Sequence, residues 1–234
     1  MTFLLRLMLV LTIPVSALAA PLNAVPVGDY RPLKAAEAGS VTEGFEASWL
    51  AGLAEALGRD IALVDRPTQT DLRIGAVASG PAYYSSDIGA LTAAEAGPAD
   101  WADLAGKPFC VTAESSHSVI VVSRFGGIAR VYPSAAQALI GLKLGECQAV
   151  VDDRLLLEQI AALPEWRRYN RLLPVLEQAT VTLRIKAEDA VLQQQIEQIM
   201  ASDQGQRTRA EITQYWIDEV AFQAYVLADT LDCH

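Results

Sequence analysis

In EGFEASWLAGLAEALGRD the apolar residues Phe45, Trp49, Leu53 and Leu57 fall four residues apart. That spacing lays one apolar stripe along a helix, with Gly58 as its stop. The runs IALVD and LRIGAVA that follow are short and apolar, as strands are. From Trp101 the pattern becomes regular. A polar turn DLAGK precedes the strand PFCVTA, a helix from Ser115 to about Phe125, the strand IARVYP, a helix from Ser134, the strand CQAVVD and a helix from Asp153 to about Ala162. Strands alternating with helices predict an α/β fold, a parallel sheet with helices on both faces. Further on, ATVTLRIKA alternates apolar and polar positions as a strand does. EDAVLQQQIEQIMASDQGQ predicts an amphipathic helix with Val191, Leu192, Ile196 and Ile199 turned inward, and RAEITQYWI predicts one more helix. Near the start, NAVPVGDYRPL reads as a short strand running into a turn.

The first residues set the compartment. Arg6, the apolar run from Leu7 to Val15, and Ala17 with Ala19 at an A-x-A spacing make residues 1–19 a secretory signal peptide. The remaining chain, about 215 residues, is expected in the periplasm and can bury one large core or two small ones. Losing Arg6 takes the net charge from −10 to −11. Such acidity argues against nucleic acid and anionic lipid as partners. It leaves a small-molecule ligand open, because a pocket can differ in sign from the surface around it.

Cys110 and Cys147 lie on apolar runs, where a packed thiol, a nucleophile, a metal ligand or half of a disulfide are all conceivable. No CxxC is present and His117 and His234 stand far from any ligand spacing, so no metal or other cofactor is expected. No papain-like signature surrounds either cysteine. In an oxidising compartment, cysteines on neighbouring strands are paired more often than free.

The order DYRPL, GFEASWLAGLAEALG, PAYYSS, DLAGKPFCVTAESS, YPSAAQALIGLKLGECQAVVDD, VTLRIKAEDAVLQQQIEQIMASDQGQ resembles the family 3 extracellular solute-binding proteins, the periplasmic amino-acid receptors of ABC importers. The resemblance extends to about Trp216. It implies a type II periplasmic binding protein: two α/β lobes joined by two crossing strands, with a ligand cleft between them. Lobe 1 would be residues 20–88 plus 185–234 and lobe 2 residues 89–184, with crossings near SSDIGAL and TLRIK. A cleft at that junction agrees with the tendency of ligands to settle at domain interfaces and beyond the carboxyl ends of strands. The implied partners are a small-molecule ligand and an ABC importer membrane subunit or another periplasmic protein, with the chain itself a monomer.

The resemblance also implies site residues. It joins Cys110 to Cys147 as a structural disulfide and leaves Cys233 unpaired. Asp153 would receive a ligand α-ammonium, the alternative being a plain helix N-cap. Asp152 would face the other way. Ser115 and Ser116 match a turn that binds a ligand carboxylate at a helix N-terminus, or they only cap that helix. Glu114 stands where the family has glycine, and it would repel an anion unless turned away. Tyr30 matches the aromatic that covers the ligand side chain, while Tyr83 and Tyr84 match the hinge entrance, with less contact expected.

Between RIGAVA and PAYY only SG remains where the family carries an arginine that grips a carboxylate; Arg31 and Arg73 read as surface charges. The expected function is therefore periplasmic capture of a small polar solute, amino-acid-like or cationic, for an ABC importer, with ordinary amino acids held weakly. A second reading is an accessory or sensory module of the same fold. A third is a dehydratase-like enzyme, for which Glu114 with His117 is the one acid–base candidate and no catalytic residue is assigned by motif.

Overall fold

The computed structural model describes residues 20–35, 43–65 and 69–231; residues 1–19, expected to be a signal peptide, and Cys233 lie outside them. Among the described residues the strands are β1 (Leu22–Val27), β2 (Ile61–Leu63), β3 (Leu72–Gly75), β4 (Ala82–Thr92), β5 (Pro108–Thr112), β6 (Ile128–Tyr132), β7 (Ala149–Asp153), β8 (Arg171–Leu172) and β9 (Thr180–Ala187). The α-helices are α1 (Phe45–Leu57), α2 (His117–Phe125), α3 (Ala135–Lys143), α4 (Arg154–Ala162), α5 (Ala190–Ala201) and α6 (Asp203–Leu231). One sheet path runs β2-β1-β3-β9-β4-β7-β5-β6, with β8 on the end of β4. Parallel β1, β2 and β3 form one half, and parallel β5, β6 and β7 the other. The antiparallel strands β9 and β4 lie between them.

The expected helical stripe is the buried face of α1: Phe45, Trp49 and Leu53 are buried, and Gly58 caps the helix in the left-handed region at φ 63°. Trp49 stacks on Tyr83 with ring centroids 4.6 Å apart. In the second half, strand alternation separates two faces. Phe109, Val111, Ala149 and Val151 pack with Trp101 and Val121 on one side, while Cys110 and Val150 join α3 and α4 in the larger core on the other. Ser134 caps α3 by accepting the Gln137 N–H at 3.2 Å. Cys110 and Cys147 are disulfide-bonded, their Cα atoms 5.7 Å apart.

Two expectations are corrected. Val191 is 65 % exposed, because the inward stripe of α5 is Leu192 and Ile196, and Val191 sits a helical step of about 100° away. The last helix is not confined to RAEITQYWI. It runs 29 residues, about 43 Å. After Gly205 no glycine or proline interrupts it, and Ile217, Val220 and Ala224 continue its buried face. It packs on α1 and α5 and also on α3 and α4, so it leans on both halves of the sheet.

Candidate functional site

Asp153 ends β7 where β4 changes partner. Residues 82–87 of β4 pair with β9 and residues 88–92 with β7, which sets Ile88 opposite Asp153. The carboxylate is 0 % exposed. Its Oδ2 accepts two phenol hydroxyls, Tyr84 at 2.6 Å and Tyr30. Its Oδ1 faces His117 Nε2 at 3.2 Å. That contact lies within ion-pair distance without hydrogen-bond alignment, so these two buried atoms have no hydrogen-bond partner. On its other nitrogen, Nδ1, His117 is hydrogen-bonded to Ser115 Oγ, which also accepts the His117 backbone N–H at 3.2 Å. Tyr30 meets the imidazole edge-on at 5.3 Å.

Four elements thus converge on one carboxylate: the turn after β1, β4, the first turn of α2 and the end of β7. Alternation along β7 turns the neighbouring Asp152 away, as expected. There it accepts the Thr112 hydroxyl at 3.1 Å and the Asp153 N–H at 2.7 Å. Among the described residues, the hydrogen-bond and ion-pair partners of these two carboxylates include neither lysine nor arginine. The burial of these carboxylates shows in the proton affinities. Burial, then the charge of Asp153, pushes Asp152 up to about 6. Burial pulls His117 down, yet its contact with Asp153 and the charges of both aspartates outweigh this and raise it. Burial and Asp153 hold Tyr30 and Tyr84 well above the usual phenol range, so both remain donors.

A second layer fixes Tyr30. Arg31 donates to the carbonyls of Tyr30 at 2.9 Å and Gly28 at 3.0 Å, and pairs with buried Glu46 at 3.1 Å. Tyr83 donates to the same Glu46 at 2.6 Å. Arg31 is therefore a positioning group and not a surface charge, whereas Arg73 is exposed and pairs with Glu188. The segment after Tyr30 also reaches the other half: the Lys34 carbonyl accepts the Ala135 N–H at 2.9 Å, and Lys34 Nζ lies 3.9 Å from Glu114.

Of the residues singled out from sequence, Tyr30, Ser115 and Asp153 are brought into one cluster. Ser116 is exposed at the start of α2 and makes no side-chain cap. Glu114 is turned outward toward Lys34, with its backbone in the left-handed region (φ 66°) that glycine enters freely. It does not meet His117, whose partners are Ser115 and Asp153, so that acid–base pair is not assembled. Tyr84, expected at the hinge entrance, donates to Asp153 and so belongs to the same cluster. A register shift between Ala82 and Tyr84 buries both adjacent tyrosines, one toward Glu46 and one toward Asp153. Sequence reasoning missed the contact of His117 with Asp153; the available signal was a histidine two residues after Ser115, opening the helix that covers the Asp153 face of β7.

The short link between β3 and β4 has a physical counterpart. The turn 76–81 is pinned to β9, with the Ile185 N–H donating to Pro81 O at 3.1 Å and Arg184 to Gly80 O at 3.0 Å. A Cβ at Gly80 would lie 1.9 Å from the Ile185 carbonyl oxygen, so the turn passes too close for a side chain there.

Tyr30→Phe removes one hydroxyl donor from buried Asp153. A hydrogen bond to a charged group is worth about 1.5–3 kcal/mol, and urea unfolding at pH 7 is expected to register a loss of that order. Tyr132→Phe, which removes only the exposed bond to Glu146, serves as the control and is expected to change little.

No family model matches the sequence, and no curated protein does. Solved structures do. The GluR0 ligand-binding core from Nostoc punctiforme in complex with L-glutamate has a TM-score of 0.59 at 17 % identity, over 85 % of this chain and 100 % of that one. The arginine-, lysine-, histidine-binding protein ArtJ from Geobacillus stearothermophilus has 0.57 at 14 % identity, over 84 % and 95 %. A mutant of ArgBP from T. maritima has 0.57 at 18 % identity, over 84 % and 95 %. The chain therefore has the two-lobed α/β fold of the periplasmic binding proteins.

Proposed function

We propose that this is a family 3 solute-binding protein, exported through residues 1–19, that captures a small cationic solute between its lobes and presents it to an ABC importer. Residues 20–88 and 185–234 form lobe 1, residues 89–184 form lobe 2, and α6 leans on both. The observation that carries this reading is the pair of adjacent buried carboxylates, Asp152 and Asp153, which have neither lysine nor arginine among their partners in the described residues and only the imidazole of His117 beside them. A buried negative cluster is relieved by a cation, and the rings of Tyr30 and Tyr84 beside Asp153 suit one. When the lobes part, an ammonium or guanidinium can pair with the Asp153 carboxylate. A zwitterionic amino acid fares worse. Its carboxylate meets only hydroxyls and the end of α2, worth about 0.3–1 kcal/mol each. ArtJ is named for binding arginine, lysine and histidine, in keeping with a cationic solute.

A second reading, an accessory or sensory module without an importer, is favoured by one observation: Tyr30 and Tyr84 already satisfy Asp153 Oδ2 in the closed molecule. A thermal-shift screen of small amines and common amino acids separates the two, since a ligand selective for the folded state raises the melting temperature. Amines are expected to stabilise the wild type and not Asp153→Asn. A flat response to every compound would contradict solute capture and leave the second reading.

A further inference from the structure

His117 has no role in the reading above, yet it is fully buried and tied to its surroundings. It is 0 % exposed, opens α2, and is held at Nδ1 and at its backbone N–H by Ser115 Oγ. Its Nε2 lies 3.2 Å from Asp153 Oδ1 without hydrogen-bond alignment, and both atoms are buried with no other partner. Buried polar atoms are almost always satisfied, so two orphans side by side call for one group that serves both. With Nδ1–H directed at Ser115 Oγ, neutral His117 presents a lone pair at Nε2 beside the carboxylate oxygen. Two adjacent acceptors, one of them anionic, match a cation that carries at least two N–H donors. A primary ammonium and a guanidinium have them; a quaternary ammonium has none.

We propose, resting on the solute-capture reading, that His117 Nε2 and Asp153 Oδ1 together form the cation subsite, so that the cleft selects N–H-bearing cations over quaternary ones and a proton on His117 competes with the solute. The surroundings of His117 favour such competition. β7 contributes Asp152 and Asp153, and the hydroxyls of Tyr30 and Tyr84 stay protonated. The other elements against α2 bring little opposing charge: Tyr132 of β6 is engaged with Glu146, Arg130 is exposed, and Asp103 of the turn Trp101–Leu104 accepts the N–H groups of Ala99 and Asp100. A proton therefore settles on His117 when no other cation is present, and a bound amine displaces it.

The test uses matched pairs, ethanolamine with choline, putrescine with its fully N-methylated form, and lysine with its ε-trimethyl form, titrated by calorimetry at pH 8 and pH 5.5. At pH 8 at least one N–H-bearing member is expected to bind roughly tenfold or more tightly than its methylated counterpart, the worth of one lost charged hydrogen bond. Its affinity should fall toward pH 5.5 by up to about tenfold per pH unit below the pKa of His117. In two buffers of different ionisation enthalpy at pH 6.5, the wild type should release protons on binding and His117→Gln fewer. If that variant does not fold, the imidazole resonances of the wild type give the same answer, moving toward the neutral form when the amine is added. Equal binding of amines and their methylated forms, with no proton release, overturns this inference and leaves solute capture standing. No binding of any member of any pair overturns the cationic cleft itself, and this inference with it.

Discussion

Severing the Cys110–Cys147 bond is expected to lower the unfolding free energy by about 3.8 kcal/mol, the loop-closure value for residues 37 apart in sequence. The bridge ties β5 to the start of β7 beneath α3, and the space around it is already full. A Cβ at Gly141 of α3 would lie 2.8 Å from Cys110 Sγ and 2.6 Å from the Tyr132 hydroxyl. Replacing both cysteines by alanine therefore removes the cross-link and two packed sulfur atoms together. Urea unfolding of the oxidised protein and of the Cys110→Ala/Cys147→Ala variant measures the difference. Coincident midpoints with unchanged slope would show that the bond contributes nothing to stability.

The second large effect is on pH. Asp152 is held up to about 6 in the folded protein against 3.8 for an ordinary aspartate, so the native state binds that proton more tightly than the unfolded chain. The resulting stability is fully present below the unfolded value and is lost as pH rises through about 6. Over the whole interval it is on the order of 3 kcal/mol. His117 and Glu46 are raised as well and act with the same sign. The ligand-free protein is thus expected to be more stable near pH 5 than at pH 8. Asp152→Asn keeps an acceptor for the Asp153 N–H and carries no charge, so it should be more stable than the wild type at pH 8 and show a flatter profile. Denaturant titrations at the two pH values check this, and a wild type that gains stability on going from pH 5 to pH 8 would contradict it.

Much of the scaffold was legible because it rests on periodicity. The stripe of α1, the alternation of strands and helices after Trp101, and the capping serine of α3 are local patterns that tertiary packing had only to use. Val191 and the length of α6 were misjudged because a stripe one residue too wide and a helix with no marked stop both look acceptable in sequence. The site was legible in part. Tyr30, Ser115 and Asp153, singled out from the sequence, meet in one buried cluster. Tyr84 enters through a register shift in β4, and no side-chain period reports such a shift. His117 enters because α2 and β7 bring positions 36 residues apart into contact at full burial, which depends on how two elements pack. The shortness of the segment between β3 and β4 was visible in the sequence; the close approach of Gly80 to the β9 backbone was not.

Both the closed cluster and the proposed solute depend on one carboxylate, and an isothermal titration of the wild type and Asp153→Asn with the best-binding amine at pH 8 interrogates it directly. The wild type is expected to bind the amine, and the variant to bind it on the order of 1.5–3 kcal/mol more weakly, the worth of a charged hydrogen bond, while ordinary zwitterionic amino acids bind weakly or not at all. Submicromolar binding of a common zwitterionic amino acid, or identical amine affinity in the two proteins, would contradict a cation-capturing cleft centred on Asp153.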